Sequence, residues 1–600
     1  MNMVAVIGIV VTLVTAIPVI IQLRQHPRGL FILFFAEMWE RFSFYGMRGL
    51  LIFYLTQHFL FDDKFANGLY GAYGSLVYLL PLIGGFLADH YLGTRKAVAF
   101  GALLLVAGHA TMALEGAPAT QVLTYQSSEY SFQVDGRGST SSVRLMVAGA
   151  PYAFEAAPDG GLSIKGLPEG AGLPALLPKG SFELSVKDRD PLFTGVFYLA
   201  LSLIVMGVGF LKPNISSLVG QLYPQADPRR DAGFTLFYYG INLGSFWAAI
   251  LCGWLGQEIG WWAGFGAASI GMAVGYVVFV LGKPSLEGKG EPPEPAKLSK
   301  RIAGPIKLEW LIYAASLAGV AIVWLFVQRF EVVGYVLAAG SIGVLSYLFY
   351  FMATQCTRVE AGRMALALSL ILFSVVFFTL FNQAGSSLNQ FAQRNTVLNL
   401  FGVDITPAQT GLFNSGFILL LAPAFAGIWA YLEPRHLDPN APAKFGLALL
   451  QIAAGFAVLV WGAQNFVGPD FRVPMIFLVA MYLFHTTGEL CLSPVGLSQM
   501  TRLSPAATVA TIMATWFLGS AWAGYAGALI AQLTAAPTVA GQVLDPGAAL
   551  QNYIAVFSDV AMWGAILGLA VLALSPFLGR LDRAADRAAD KAALKPAPGE

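Results

Sequence analysis

The chain has 600 residues, of which 56% are hydrophobic and 12% charged, with a mean hydropathy of +0.66. That charged share is about half of a soluble domain's, and apolar runs near the ~20 residues of a bilayer-crossing helix recur from end to end, which excludes a single anchor on a soluble domain. Lys and Arg total 35 against 34 Asp and Glu, so no charge excess points to nucleic acid as a partner.

In chain order, apolar spans are predicted at 3–23, 29–57, 67–88, 96–115, 192–212, 233–255, 261–281, 306–328, 331–352, 364–386, 409–432, 445–464, 473–495, 506–533 and 550–577, which makes fifteen candidate helices. The first has the length of a signal sequence's apolar region. It lacks a basic leader, and Arg24, His26 and Arg28 follow it, so a retained helix running from outside to inside is expected. Connections rich in Lys and Arg (Gly93 to Lys96, Asp227 to Arg230, Lys283 to Arg301, Thr357 to Arg363 and the tail after Arg580) alternate with base-poor ones. If the basic set is cytoplasmic, all fifteen spans stay in phase, with the N-terminus outside and the C-terminus inside.

The second span carries Glu37, Glu40, Arg41 and Arg48, which at 3.6 residues per turn project from one face together with Phe44 and Tyr45. Charges at membrane depth cost at least a few kcal/mol each unless paired or facing a water-filled cavity, so this stripe is expected to look inward as an ion-pair network. Such groups also lock helices together, but ion pairs are a poor source of stability, and intramembrane ionisable residues mark substrate or ion pathways.

Residues 116–190 break the helical pattern with the alternating stretches Tyr130–Val134, Val143–Val147 and Ser181–Val186 between Gly and Pro turns. They predict a small β-rich domain outside the membrane, without cysteine, relying on a modest core or on the helices. Lys212 is followed by Pro213, which is expected to end regular hydrogen bonding and leave a kinked helix around an ammonium group. Residues 282–304, with Lys283, Lys289, Lys297, Lys300 and Arg301 among Gly, Pro and Glu, have the composition of a flexible linker. A tight hairpin, 306–328 and 331–352, follows.

In the C-terminal group, Glu489 stands alone in an apolar span, with Pro494 permitting a break. A zwitterion offering a carboxylate to Arg41, Arg48 and Lys212 and an amine to Glu489 supplies what both sides lack, and short peptides fit that description. Glu37, Glu40 and Glu489 are the candidate proton carriers, because a buried carboxylate beside a base changes protonation when its partner moves. Cys252, Cys356 and Cys491 have no CxxC spacing, so neither a disulfide framework nor a metal site is expected, and no cofactor is indicated.

The string Glu37-Met-Trp-Glu-Arg-Phe-Ser-Phe-Tyr-Gly-Met-Arg48 resembles the ExxERFxYYG signature of proton-dependent oligopeptide transporters, the peptide branch of the major facilitator superfamily. Gly84 to Lys96, Phe210 to Ser217, Phe237 to Ser245 and Gly488 to Ser498 are similar to further family segments. The resemblance covers roughly 24–115 and 191–577. It implies an all-α membrane fold of two six-helix bundles with an inter-bundle helical hairpin, to which this chain adds an N-terminal helix and the β-rich insert. It implies a proton-coupled symporter of di- and tripeptides in a bacterial inner membrane, working by alternating access with peptides and protons as its partners.

By position, Arg41, Arg48 and Lys212 look like the peptide carboxylate site, Asn242 and Asn414 like peptide-orienting groups, Glu489 like the amine site, and Tyr45 and Tyr78 like pocket walls, with Ser493 beside them. Arg41 joins Glu37, Glu40 and Glu489 in coupling, and Asp89, Arg95 and Lys96 are assigned to gating at the cytoplasmic edge. The expected divisions are an extra helix (1–27), three N-terminal bundle helices (28–115), the periplasmic insert (116–190), three more bundle helices (191–281), the linker (282–304), the hairpin (305–354), the C-terminal bundle (355–578) and a cytoplasmic tail (579–600).

Three departures from the family pattern stand out. Phe44 replaces a tyrosine, Phe378 and Asn382 stand where tryptophan and glutamate are frequent, and the first helix and the insert have no counterpart in the pattern. The loss of an acid at Asn382 puts part of the family's coupling network in question. The same fold carrying another small anion or a modified peptide, with the insert capturing ligand or a partner, is the alternative within transport. An enzyme built on 116–190 is disfavoured, because that segment has no HExxH, Walker or GxSxG pattern.

Overall fold

The computed structural model describes residues 3–138, 141–224, 227, 229–303, 305–505 and 507–593. Apolar surroundings leave backbone N–H and C=O groups no water to bond, so each span closes its hydrogen bonds internally as a helix. The N-terminal half comprises α1 (Met3–Leu23), α2 (Arg28–Phe53), α3 (Asp63–Leu79), α4 (Pro81–Leu87), α5 (Thr94–Met112), α6 (Pro191–Gln221), α7 (Arg230–Trp254) and α8 (Trp261–Leu281). A short α9 (Pro295–Leu298) precedes the hairpin of α10 (Leu308–Val327) and α11 (Phe330–Thr354). The second half comprises α12 (Arg358–Phe381), α13 (Ser387–Asn395), α14 (Leu412–Leu432), α15 (Ala441–Asn465), α16 (Met475–Leu503), α17 (Val509–Leu533) and α18 (Pro546–Ala593).

Each of the fifteen expected spans holds a long helix. Among the described residues, twelve helices are long and apolar enough to cross a membrane by length and composition alone. Among those not in that set are α2, with its charged stripe, and α5, which begins with Arg95 and Lys96. The tail 579–600 continues α18 as far as Ala593, and its last residues, 594–600, lie outside the described residues.

Two large apolar cores divide the molecule. One unites α2, α3, α5 and α6 around Leu50, Leu105 and Phe210; the other unites α12, α15, α16 and α18 around Leu370, Phe456 and Phe557. The two halves meet where α3 packs on α17 and α7 on α14. Gly71 makes the first contact close, since a Cβ there would collide with the Cβ of Ala528. The hairpin lies outside this pair, with α10 on α6 and α11 on α17, and α1 packs on α7. This is the major facilitator arrangement of two helical bundles.

One proline expectation is corrected. The helix carrying Lys212 does not end at Pro213 but runs on to Gln221. Proline removes one backbone bond, and Asn214 holds the turn by donating from Nδ2 to the Phe210 carbonyl at 2.7 Å, so ending the helix inside the membrane would expose more backbone than continuing it. At position 494, where a break was permitted, α16 continues to Leu503. The segment 282–304, with the composition of a flexible linker, is held against the N-terminal half. Leu286 and Leu298 are buried, and Arg95 grips Glu291 through Nε and Nη2 at 2.9 and 3.0 Å.

Residues 120–187 fold as strands β1 (Thr120–Tyr125), β2 (Ser128–Asp135), β3 (Ser142–Val147), β4 (Ala150–Tyr152), β5 (Phe154–Ala156), β6 (Leu162–Ile164), β7 (Leu176–Leu177) and β8 (Glu183–Lys187). They form an antiparallel sheet in the order β4-β3-β2-β1-β8 and a second sheet β5-β6-β7, with Val122 opposite Ser131 and Leu123 opposite Leu184. The period-two alternation turns Leu123, Phe132, Leu145 and Leu177 into one small core.

Candidate transport site

The acidic and basic residues of α2 are spaced so that Arg41 lies against both acids. Its Nε is 2.9 Å from Glu37 Oε1 and 2.5 Å from Glu40 Oε2, and all three side chains are at most 5% exposed. The network is not saturated, for Glu37 Oε2, Glu40 Oε1 and Arg41 Nη2 are buried without a hydrogen-bond partner. About two helical turns further along, Arg48 donates from Nε to Tyr70 Oη at 2.7 Å and from Nη2 to Asn382 Oδ1 at 2.9 Å. That second bond joins the two bundles.

Lys212 projects from the middle of α6 and places its ammonium 4.1 Å from the centre of the Tyr78 ring. It lies near enough to Arg41, Glu40 and Glu37 to feel their charges. Tyr45 is half-buried on the same wall. In the opposite bundle, Asn414 Nδ2 donates to Thr486 Oγ1 at 3.0 Å and to Glu489 Oε2 at 3.2 Å. Glu489 thus sits on α16 of the C-terminal half, with Asn414 of α14 beside it. Asn242 is buried, donating to the Tyr238 carbonyl at 2.9 Å, and Ser493 is half-buried on α16. The structure therefore brings Arg41, Arg48, Lys212, Tyr45 and Tyr78 to one wall and Glu489 with Asn414 to the other.

Asp89, Arg95 and Lys96 stand apart from this centre, near the linker. Asp89 is exposed, Arg95 holds Glu291, and Lys96 Nζ pairs with Glu309 Oε1 at 2.6 Å. The Glu291 carboxyl is held below its ordinary range, first by the Arg95 hydrogen bond.

The hydrogen bonds that join the bundles cluster from mid-height toward the insert side. Asn67 Nδ2 donates to Gln390 Oε1 at 3.2 Å, Ser75 Oγ to the Ala521 carbonyl at 3.0 Å, Ser245 and Ser415 share a 2.7 Å bond, and Gln257 Oε1 accepts from Ala408 N at 2.9 Å. An almost fully buried ion pair caps them: Arg394 Nη1 and Nη2 reach the two Asp63 oxygens at 2.7 and 2.8 Å. Beside Arg48 lies a gap of about 20 Å³ between the bundles, bounded by Tyr70, Gly71, Asn382 and Ala528, room for roughly one water.

Sequence reasoning missed Tyr70, Thr486, Asp63 and Arg394 as parts of this region. Tyr70 and Thr486 read as ordinary polar positions of apolar spans. Asp63 and Arg394 lie just beyond the predicted spans 67–88 and 364–386, where a charge reads as a solvated helix end.

The sequence model of the PTR2, or POT, family matches residues 95–549. The chain belongs to the POT family. Among relatives of this POT-family chain, the uncharacterized transporter YclF of Bacillus subtilis is 32% identical over 518 residues, covering 85% of this chain and 88% of the relative. The peptide transporter YePEPT of Yersinia enterocolitica is 31% identical over 525 residues, covering 84% and 87%. In structure, a crystallised variant of a peptide transporter POT in complex with alafosfalin matches with a TM-score of 0.69 at 31% identity over 93% of this chain and 96% of that one. A multi-pass membrane transporter fold is thereby shown for this chain, and its family is a family of transporters rather than of enzymes.

Proposed function

We propose that this POT-family protein imports di- and tripeptides together with protons across a bacterial inner membrane by alternating access, with the insert outside and the C-terminus in the cytoplasm. The observation that carries the reading is the pair of opposed walls. Three bases, Arg41, Arg48 and Lys212, stand on one bundle and an acid, Glu489, held among the described residues by neutral partners, on the other. A peptide is a zwitterion of that polarity, and its carboxylate and amine complete both walls at once. The names of relatives, among them the dipeptide and tripeptide permease B of Photorhabdus luminescens, support the same substrate class.

Tyr45 and Tyr78 wall the pocket, Asn242, Asn414 and Ser493 orient the peptide backbone, and Asp89, Arg95 and Lys96 act in gating on the linker side. Protons enter the cycle through Glu37, Glu40 and Glu489, with Arg41 as the shared counter-charge. When a peptide carboxylate draws Arg41 away, the α2 acids lose their base and take up protons, which lets the bundles rock about the midplane. The positive-inside pattern supports the orientation.

Proteoliposomes with an imposed inward proton gradient test the reading. Wild type accumulates a labelled dipeptide and acidifies the lumen, whereas Glu37→Gln, Glu40→Gln and Glu489→Gln lose gradient-driven accumulation. Unchanged accumulation by all three variants would refute the coupling assignment, and no dipeptide uptake by wild type would refute the substrate class.

A further inference from the structure

The apolar core of the insert is not made by the insert alone. Val539 and Ala540, from the hairpin of Thr538–Val539 and Gln542–Val543 between α17 and α18, are 1% and 7% exposed and belong to the same cluster as Leu123, Phe132, Leu145 and Leu177. Two hydrogen bonds fix the contact. Ala540 N donates to Gln121 Oε1 at 2.5 Å, and Gln542 Nε2 donates to the Ser141 carbonyl at 2.8 Å. The base of the hairpin is tied to the other half as well, since Ala536 N donates to Asp63 Oδ2 at 3.0 Å.

The two partners of this contact are tethered to opposite bundles. The insert leaves α5 and enters α6, and Arg189 at its exit donates to the carbonyls of Phe59 and Leu60 at 2.8 and 3.1 Å, so it moves with the N-terminal bundle. The hairpin is the short link between α17 and α18 and moves with the C-terminal bundle. Beside the contact lies an open pocket of about 570 Å³, lined by Thr56, Asp62, Gln121, Arg189, Pro537 and Thr538. The seat is small, two apolar residues and two hydrogen bonds, far less than a permanent domain interface buries.

We propose that the insert is a releasable clasp between the two bundles: it grips the α17–α18 hairpin when the transporter is closed on the insert side and must let go for that side to open. The clasp rests on the alternating-access reading. It adds its contact energy to the closed state only, so it sets how often the insert side opens without touching substrate. The surface exposed on release is the groove over Leu123 and Leu145, and its occupant is the chain's own hairpin.

The test is a reversible lock. Gln121→Cys combined with Ala540→Cys, oxidised in proteoliposomes and checked by gel shift after cleavage between the bundles, is expected to lose uptake by roughly tenfold or more, and reductant restores it in the same sample. Each single variant retains uptake as the unlinked control, and a loss that appears in a single variant or that reductant does not reverse would count against the clasp. Cross-linked protein that still transports at the reduced rate, or a pair that forms no cross-link, would overturn the proposal. As a second measurement, Val539→Ser is expected to speed labelling of Ala540→Cys by an impermeant maleimide severalfold, and an unchanged rate would also overturn it.

Discussion

The two walls of the site solve the problem of buried charge in different ways. On α2, Glu37 and Glu40 are answered by Arg41 on the same helix, so the N-terminal wall carries its base within five residues of sequence. On α16, the hydrogen-bond partner of Glu489 among the described residues is the neutral Asn414, with Thr486 bonded to the same amide. A hydrogen bond from an amide lowers the cost of a buried carboxylate but leaves its charge uncompensated. The first wall carries a base beside its acids, while the acid of the second is paired, among the described residues, with a neutral amide.

Breaking the comparison at its stronger wall gives the largest effect. Arg41→Ala leaves two buried carboxylates without their base, and removing one partner of a buried pair costs about 3–5 kcal/mol. We expect a large drop in the detergent melting temperature and no transport. Arg41→Lys keeps the charge without the planar fork, so it should recover stability before it recovers uptake. Equal losses in melting temperature for Arg41→Ala and Arg41→Lys would show that geometry rather than charge holds this wall together.

At the weaker wall the expected effect falls on substrate. Glu489→Gln removes a charge that no base among the described residues pairs with, so the melting temperature should hold or rise. Affinity for a dipeptide with a free amine should fall by about 2 kcal/mol, roughly thirtyfold, the lower range for truncating one partner of a buried charge pair. A dipeptide whose amine is acetylated lacks the cation, so its weak binding should not change further. Competition against a labelled dipeptide measures both, and an equal loss for the two ligands would remove Glu489 from amine recognition.

Much of this contrast was legible in the sequence, because charges inside apolar runs are rare and their helical spacing puts Glu37, Glu40, Arg41 and Arg48 on one face. The β-rich insert was legible for a similar reason, its period-two alternation becoming β2, β3 and β8. What stayed hidden depended on pairing across long sequence distances. Arg48 meets Asn382 across 334 positions, so a residue first noted as a missing acid is also the acceptor that joins the bundles. Asp63 and Arg394 looked like solvated helix ends until the fold brought both together and buried them. Val539 lay between two spans and carried no signal that it finishes the core of a domain more than 350 residues earlier. Pro213 misled because a proline rule drawn from water overstates chain breaking where the surroundings penalise every open backbone group.

The contrast sharpens at its mild end with an ion pair outside the membrane. Arg95 and Glu291 make the same kind of bidentate contact as a buried pair, yet their side chains are 17% and 39% exposed. Hydrogen bonding from Arg95 holds the Glu291 carboxyl below its ordinary value of 4.5. A depressed folded pKa means that the pair stabilises the native state above the unfolded value and that the contribution is lost as pH falls through the lower, folded value. Solvent screening keeps the effect below about 1 kcal/mol. Glu291→Gln should therefore lower the melting temperature by a degree or two at neutral pH, on the order expected for a surface pair in a large protein. The gap from wild type should begin to close below pH 4.5 and shrink at high salt throughout. A gap that stayed constant with pH would mean that the linker is held by the burial of Leu286 and Leu298 and not by this charge, and it would leave the membrane pair on α2 without its solvated counterpart.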